Sequence, residues 1–302
     1  MVLCEQDGQS RMDMIVNVDA NTDIISRDIW SESDLVTGKP VKLMSNFSGA
    51  GGNIYLFTCE NGTYRLDQTD MHAGEDNNIK WNFGDQPNHM HVQASGVSLY
   101  DYYQYNGKYE FIDYLYWIVI DENGDVYCNN VSVNGGLFEF PINEINGMKF
   151  KAAPFVANAC RYRRGGGSYT LGGTSTMLYD EAGHRFAFYY NKSDGLGVKK
   201  YDPLYFNEGE ENSDLIQSIP VRDGNATGVD PNKLSPDQKV LYVGTGYQFD
   251  QGWTSTYAYG LAKSNDKCFV YEFNPRGFTY SDYVSFNAYY QIDLPKGLDE
   301  NA

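Results

Sequence analysis

Several groups of side chains in this sequence have types and spacings that could carry chemistry. His89-Met90-His91 sets two imidazoles two residues apart, which on a strand would share one face, with Asp85 close by and His72 upstream. Two histidines and a carboxylate suit zinc or another transition metal. The chain holds only 4 His in all, however, and a hydrogen-bonded pair is the plainer account, so no metal ligand is assigned. Ser168 follows three glycines, with His184 downstream. No Gly-x-Ser-x-Gly elbow raises it at a strand-to-helix turn, so no catalytic residue is assigned either. Asp121-x-Asn123-Gly124-Asp125 alternates oxygen ligands but lacks the loop length and distal Glu of a calcium hand. Asn-Gly between apolar runs accounts for it as a hairpin turn.

Two kinds of residue remain as candidates for binding. Arg161, Arg163 and Arg164 stand beside Gly165-Gly166-Gly167 in an otherwise acidic chain. Guanidinium forks match planar anions, and bare glycine amides add donors. A solvated loop pairing with acidic neighbours is the competing account. Tyr102, Tyr103 and Tyr105 lie in an aromatic hairpin running from Tyr100 to Tyr109, and the stretch Gln251 to Tyr257 is expected to place Trp253 in a loop of small residues that ends on Tyr257. Sugar rings stack on exposed aromatics while neighbouring Asn, Asp and Gln bind their hydroxyls. The competing account is that these rings fill space inside the fold.

The elements that must position these residues come from one recurring pattern, an apolar strand, a polar turn and an aromatic-rich return. It runs from Tyr55 to Leu66, Trp117 to Cys128, Met177 to Phe188 and Gly260 to Tyr271, and Leu3 to Gly8 fits its first half. Gly8 to Gly62 is 54 residues, Gly62 to Gly124 is 62 and Gly124 to Gly183 is 59. A unit of roughly 55–60 residues with four short strands is the size of a generous propeller blade. The expectation is therefore an all-β fold: a single β-propeller domain over 1–302, with four-stranded blades. About four to five blades are expected, cut mid-blade at the N-terminus and incomplete at the C-terminus. A further strand is expected over Val41 to Asn46, and an insertion over Tyr201 to Gln238.

Composition narrows the partners. Formal net charge is −17, which disfavours nucleic acid and anionic membrane surfaces. The longest apolar run, Tyr114 to Ile120, is too short for a transmembrane segment. The 5 cysteines include no Cys-x-x-Cys and read as small buried hydrophobes. No cofactor is implied.

Three stretches carry a family likeness. They are Phe140 to Ile145 with Phe150 to Pro154, then Tyr179-Asp180-Glu181 with Arg185-Phe186, then Leu241 to Gly244 with Tyr257 to Gly260. On these the chain resembles the propeller region of the PKD-like family surface lipoproteins of Bacteroidota, over roughly residues 40 to 290. The resemblance implies a cell-surface protein on the extracellular face of the outer membrane, its lipid anchor lying outside this chain. It also implies outer-membrane transport proteins as partners. With the aromatic segments, the expected function is non-catalytic binding of glycan or another nutrient ligand. A protein-interaction scaffold and a propeller-type glycan hydrolase or lyase are the alternatives.

Overall fold

A computed structural model of the chain describes residues 1–30, 38–48, 52–67, 71–105, 109–130, 136–158, 162–163, 169–170, 176–189, 216–219, 228–250, 253–274 and 285–293. Apart from two single-turn 3-10 helices, its regular structure is all strand. Five antiparallel meanders follow one another. The first joins β1 (Val2–Gln6), β2 (Gln9–Asp19) and β3 (Thr22–Ser26), and the second β4 (Pro40–Ser48), β5 (Gly52–Cys59) and β6 (Gly62–Leu66). The third joins β7 (Val92–Tyr105), β8 (Tyr109–Asp121) and β9 (Val126–Asn130). Two short hairpins come next, β10 (Glu144–Ile145) with β11 (Met148–Lys149) and β12 (Tyr162–Arg163) with β13 (Tyr169–Thr170). The fourth meander joins β14 (Thr176–Asp180), β15 (Arg185–Tyr189) and β16 (Ile216–Ser218). The fifth joins β17 (Lys239–Asp250), β18 (Trp253–Ser264), β19 (Lys267–Asn274) and β20 (Ser285–Asp293).

The five expected hairpins are all present, as β1–β2, β5–β6, β8–β9, β14–β15 and β18–β19. Their turns carry the residues that such turns demand. Asp7 and Gly8 both take positive φ, at 54° and 76°, and Gly124 takes 81°. The strand expected over Val41 to Asn46 is β4. Sheet size differs from the expectation: among the described residues only the fifth sheet has four strands, and none of the sheets closes on itself. The fourth gains a partial edge instead, where Ala152 bridges Asp180 and Ala157 bridges Met177. Pro154 lacks an N–H and so cannot complete a ladder here. Most of the expected insertion over Tyr201 to Gln238 lies outside the described residues.

Packing runs from sheet to sheet in chain order. Met12, Phe57 and Leu66 fill a core between the first and second sheets, and Leu56, Val97 and Trp117 one between the second and third. Ile118, Leu178 and Ala187 lie between the third and fourth, and Met177, Phe186 and Phe273 between the fourth and fifth. Strand alternation makes this possible. On β8, Trp117 and Val119 enter one core while Ile118 and Ile120 enter the next. This is why the run around Trp117 is apolar at every position: the sheet is covered on both faces. Each such side chain, fully removed from water, contributes about 1.5–3 kcal/mol.

Candidate functional site

Position in the fold follows from how the first strands meet. Lys42 Nζ donates to the Gln93 carbonyl at 2.6 Å, and Asn46 Nδ2 to Ser95 Oγ at 2.5 Å. Gly96 lies against Val156, and the Val97 N–H donates to Asn158 Oδ1 at 2.8 Å. The Phe155 and Tyr242 rings lie 6.3 Å apart, and Thr245 Oγ1 donates to the Asn158 carbonyl at 2.6 Å. In each set both residue numbers rise together. β4, β7, the segment around Ala157 and β17 therefore run in the same direction, and their C-terminal ends emerge at one end of the assembly.

The sequence candidates sit beyond those ends. β9 pairs with β8 only from Tyr116 to Ile120, whereas β7 and β8 stay paired out to Tyr105 and Tyr109. Tyr102, Tyr103 and Tyr105 are in that projecting ribbon. β19 pairs with β18 from Ala258 to Ser264, and β17 and β18 continue to Asp250 and Trp253. Trp253 is thus the first residue of a strand rather than part of a loop, and Tyr257 stands four residues along it, half-buried, with its ring 6.3 Å from that of Tyr259. Arg163 lies on β12, between Asn158 and β14 in the chain, while Arg161 and Arg164 lie outside the described residues. Backbone topology thus brings the tyrosine positions of the third sheet and the tryptophan position of the fifth to one end, and the β12–β13 hairpin with Arg163 follows in the chain the segment that runs towards that end.

The groups weighed for catalysis are spread differently. His89 and His91 precede β7 and share no strand face. His91 Nδ1 is 3.2 Å from Glu122 Oε2 at the opposite end of the third sheet. Ser168 lies outside the described residues. Among the described residues no three His, Cys, Asp or Glu side chains gather as a metal would require. Asp121 closes its own turn, Oδ1 accepting the N–H groups of Asn123 at 2.9 Å and Asp125 at 2.8 Å. Burial pushes its carboxyl above the usual range, although these bonds oppose the shift. Asp180 does the same work in the fourth sheet, accepting from Gly183 N–H and Arg185 Nε at 2.8 Å each. Both carboxylates are occupied in holding turns. Of the cysteines, Cys59 and Cys268 are buried and Cys128 has its thiol pushed up to about 12 by burial, as small apolar fillers would be.

No protein-family model matches the chain, and neither does any curated protein sequence. The reading of the site therefore rests on geometry.

One surface escaped the sequence reading. On the fifth sheet, Val243, Ala258, Phe269 and Tyr271 face the core. The opposite face carries Tyr242, Tyr257, Tyr259, Glu272 and Tyr290, placed together by the pairs Tyr242–Leu261, Leu261–Val270, Val270–Tyr290 and Tyr259–Glu272. Tyr242 and Tyr290 are 55% and 52% exposed. The signal was in the alternation Tyr242-x-Gly244-x-Gly246, which only pairing with Tyr257 and Tyr259 makes legible as one face.

Proposed function

We propose that this chain is a non-catalytic binding module with a propeller-type succession of sheets. It holds a glycan or another nutrient ligand at the end where the first strands emerge. One observation carries this reading: β7 and β17 run in the same direction and deliver the Tyr102–Tyr105 and Trp253–Tyr257 segments to the same end. The propeller arrangement is supported by five meanders packed in chain order with a core between each successive pair. Aromatic rings with polar neighbours suit sugars, which offer apolar ring faces and edge hydroxyls. Placement on the cell surface beside outer-membrane transport proteins rests on the resemblance to PKD-like family lipoproteins alone. Affinity electrophoresis in gels containing soluble plant and host polysaccharides tests the ligand class. Retardation lost in Trp253→Ala or in Tyr102→Ala/Tyr105→Ala supports the reading, and no retardation of folded protein on any polysaccharide overturns it.

The scaffold reading has one observation in its favour. Ile15 pairs with Ile25 and Val16 with Ile24 on a projecting β2–β3 ribbon, all four being exposed. Apolar side chains on both faces suit contact with another protein strand. That reading requires an assembly larger than the monomer, seen by sedimentation and abolished by Ile24→Lys.

A further inference from the structure

Among the described residues, the far face of the fifth sheet differs in composition from the faces packed between sheets. Faces between sheets are filled mainly by buried apolar side chains. This one mixes tyrosines with Leu261, Val270 and Ile292, with Lys263, Glu272 and Asn287, and with two glycines. The glycines have a definite geometric role. A Cβ at Gly244 would collide with the Tyr242 ring, and one at Gly246 would come within 2.8 Å of the Tyr259 ring. Both rings therefore lie down along the sheet, over bare backbone, instead of standing off it. A ring lying down presents a face rather than an edge.

Polar groups stand beside these faces. The Tyr259 hydroxyl is hydrogen-bonded to the Glu272 carboxylate, and Asn287 Nδ2 donates to the same carboxylate. Tyr242 and Tyr290 lie on the two outer strands of the sheet, in one row across it. At ordinary strand spacing, three steps set them about 14 Å apart. Covering this face with another apolar sheet would strip water from the charged Glu272 carboxylate, which is costly. A ligand with flat apolar faces and hydroxyls at its edges satisfies both kinds of group.

We propose that the far face of the fifth sheet is a stacking surface for a chain of sugar rings, with Tyr242 and Tyr290 as the exposed rings at its two edges, Leu261 and Val270 as the apolar floor between them, and Glu272 and Asn287 as hydrogen-bonding groups beside that row. It takes its ligand class from the glycan reading above. It adds a surface reached from the hairpin end through Tyr257, which belongs to both.

The test is affinity electrophoresis of the chain through gels containing a mixed-linkage β-glucan, a galactomannan, a xylan or a pectin. Thermal unfolding of each variant serves as the folding control. Tyr242→Ala and Tyr290→Ala should each weaken retardation about tenfold, whereas Tyr242→Phe and Tyr290→Phe should stay within about twofold. Gly244→Ala keeps the Tyr242 ring but lifts it off the sheet, and should weaken retardation as Tyr242→Ala does. If the parent chain is retarded and these variants match it, the stacking surface is refuted. The glycan reading then stands or falls on the hairpin variants. If the parent is retarded by no polysaccharide, both fall. If Tyr290→Ala alters the sedimenting mass and leaves retardation unchanged, the face joins copies of the chain and the proposal is overturned.

Discussion

Asn158 accepts the backbone N–H of Val97 through its side chain, at 2.8 Å. Its own carbonyl accepts the Thr245 hydroxyl at 2.6 Å. One residue thus ties the first strand of the third sheet to that of the fifth, across a segment too irregular to form a ladder of its own. Asn158→Ala leaves the Val97 N–H without this acceptor. Losing it should cost about 1–3 kcal/mol. Asn158→Asp keeps an acceptor and should cost less. Urea unfolding of the three proteins measures the order, and equal midpoints for parent and Asn158→Ala would show the tie to be idle.

Asp180 is 1% exposed and anchors both Gly183 N–H and Arg185 Nε. Removing one partner of a buried ion pair is more damaging than never having had the pair, because the other charge stays behind. Arg185 retains some solvent contact, so the lower part of the usual range applies. Asp180→Ala should destabilise by about 2–4 kcal/mol. Asp180→Asn, which can still accept from Gly183, should fall between. Thermal unfolding of the pair checks this, and an Asn variant no better than Ala would show that the bond to Gly183 N–H adds no stability.

Much of this was legible in the sequence, and the reason is local. Asn-Gly and Asp-Gly turns act within a few residues, so the hairpins at Gly8, Gly62 and Gly124 could be placed from spacing alone. The run from Trp117 to Ile120 is apolar at every position, the pattern of a strand packed on both faces, and it enters two cores. Trp253 was misplaced in a loop because Gly and Ser neighbours resemble turn chemistry, whereas ladder pairing to Asp250 decides the matter. His89 and His91 have strand-like spacing but precede the first ladder bond of β7 at Val92. The tyrosine face of the fifth sheet was invisible for a different reason. Its members come from four strands, and only register brings them together.

Asp121 offers a pH test. It is 6% exposed, and burial raises its carboxyl pKa above the unfolded value. A raised carboxyl disfavours the folded state once ionised, so the penalty is present at neutral pH and is relieved as pH falls through the folded pKa. Asp121→Asn keeps an oxygen for the Asn123 and Asp125 N–H groups, and the Asn123 side-chain amide, 3.2 Å from Oδ2, can turn to suit. The variant should therefore be at least as stable as the parent at pH 7. Its advantage should shrink towards about pH 4, where the unfolded carboxyl also protonates. Melting curves at the two pH values decide it, since a gap that widens on acidification contradicts the assignment.

Buried phenols set the alkaline limit. Tyr64, Tyr127 and Tyr179 are each pushed up to about 12 by burial, and burial also raises Tyr189 and Tyr271 well above their ordinary value. Unfolded tyrosines ionise near about 10. Between those values the unfolded chain releases protons that the folded chain keeps, so stability present below pH 10 is lost as pH rises towards 12. Absorbance at the phenolate band should show a buried set that ionises together with loss of the near-ultraviolet circular dichroism signal. Independent ionisation of all tyrosines before any structural change would contradict this.

Gly260 gives the sharpest test of how the fourth and fifth sheets meet. It pairs with Val243 on one side and Tyr271 on the other, and a Cβ there would strike the Phe186 ring. That ring packs 4.8 Å from Phe273 and 5.1 Å from Tyr271, centroid to centroid, and has no room to retreat. Gly260→Ala should therefore destabilise by about 1–3 kcal/mol through overpacking, although alanine is the better strand residue by conformational entropy. Phe186→Leu removes part of the obstacle. Combined with Gly260→Ala, it should cost less than the sum of the two single changes, because the added methyl takes up space that the ring vacates. A double-mutant cycle by urea unfolding measures that coupling, and strict additivity would mean that Gly260 and Phe186 do not touch.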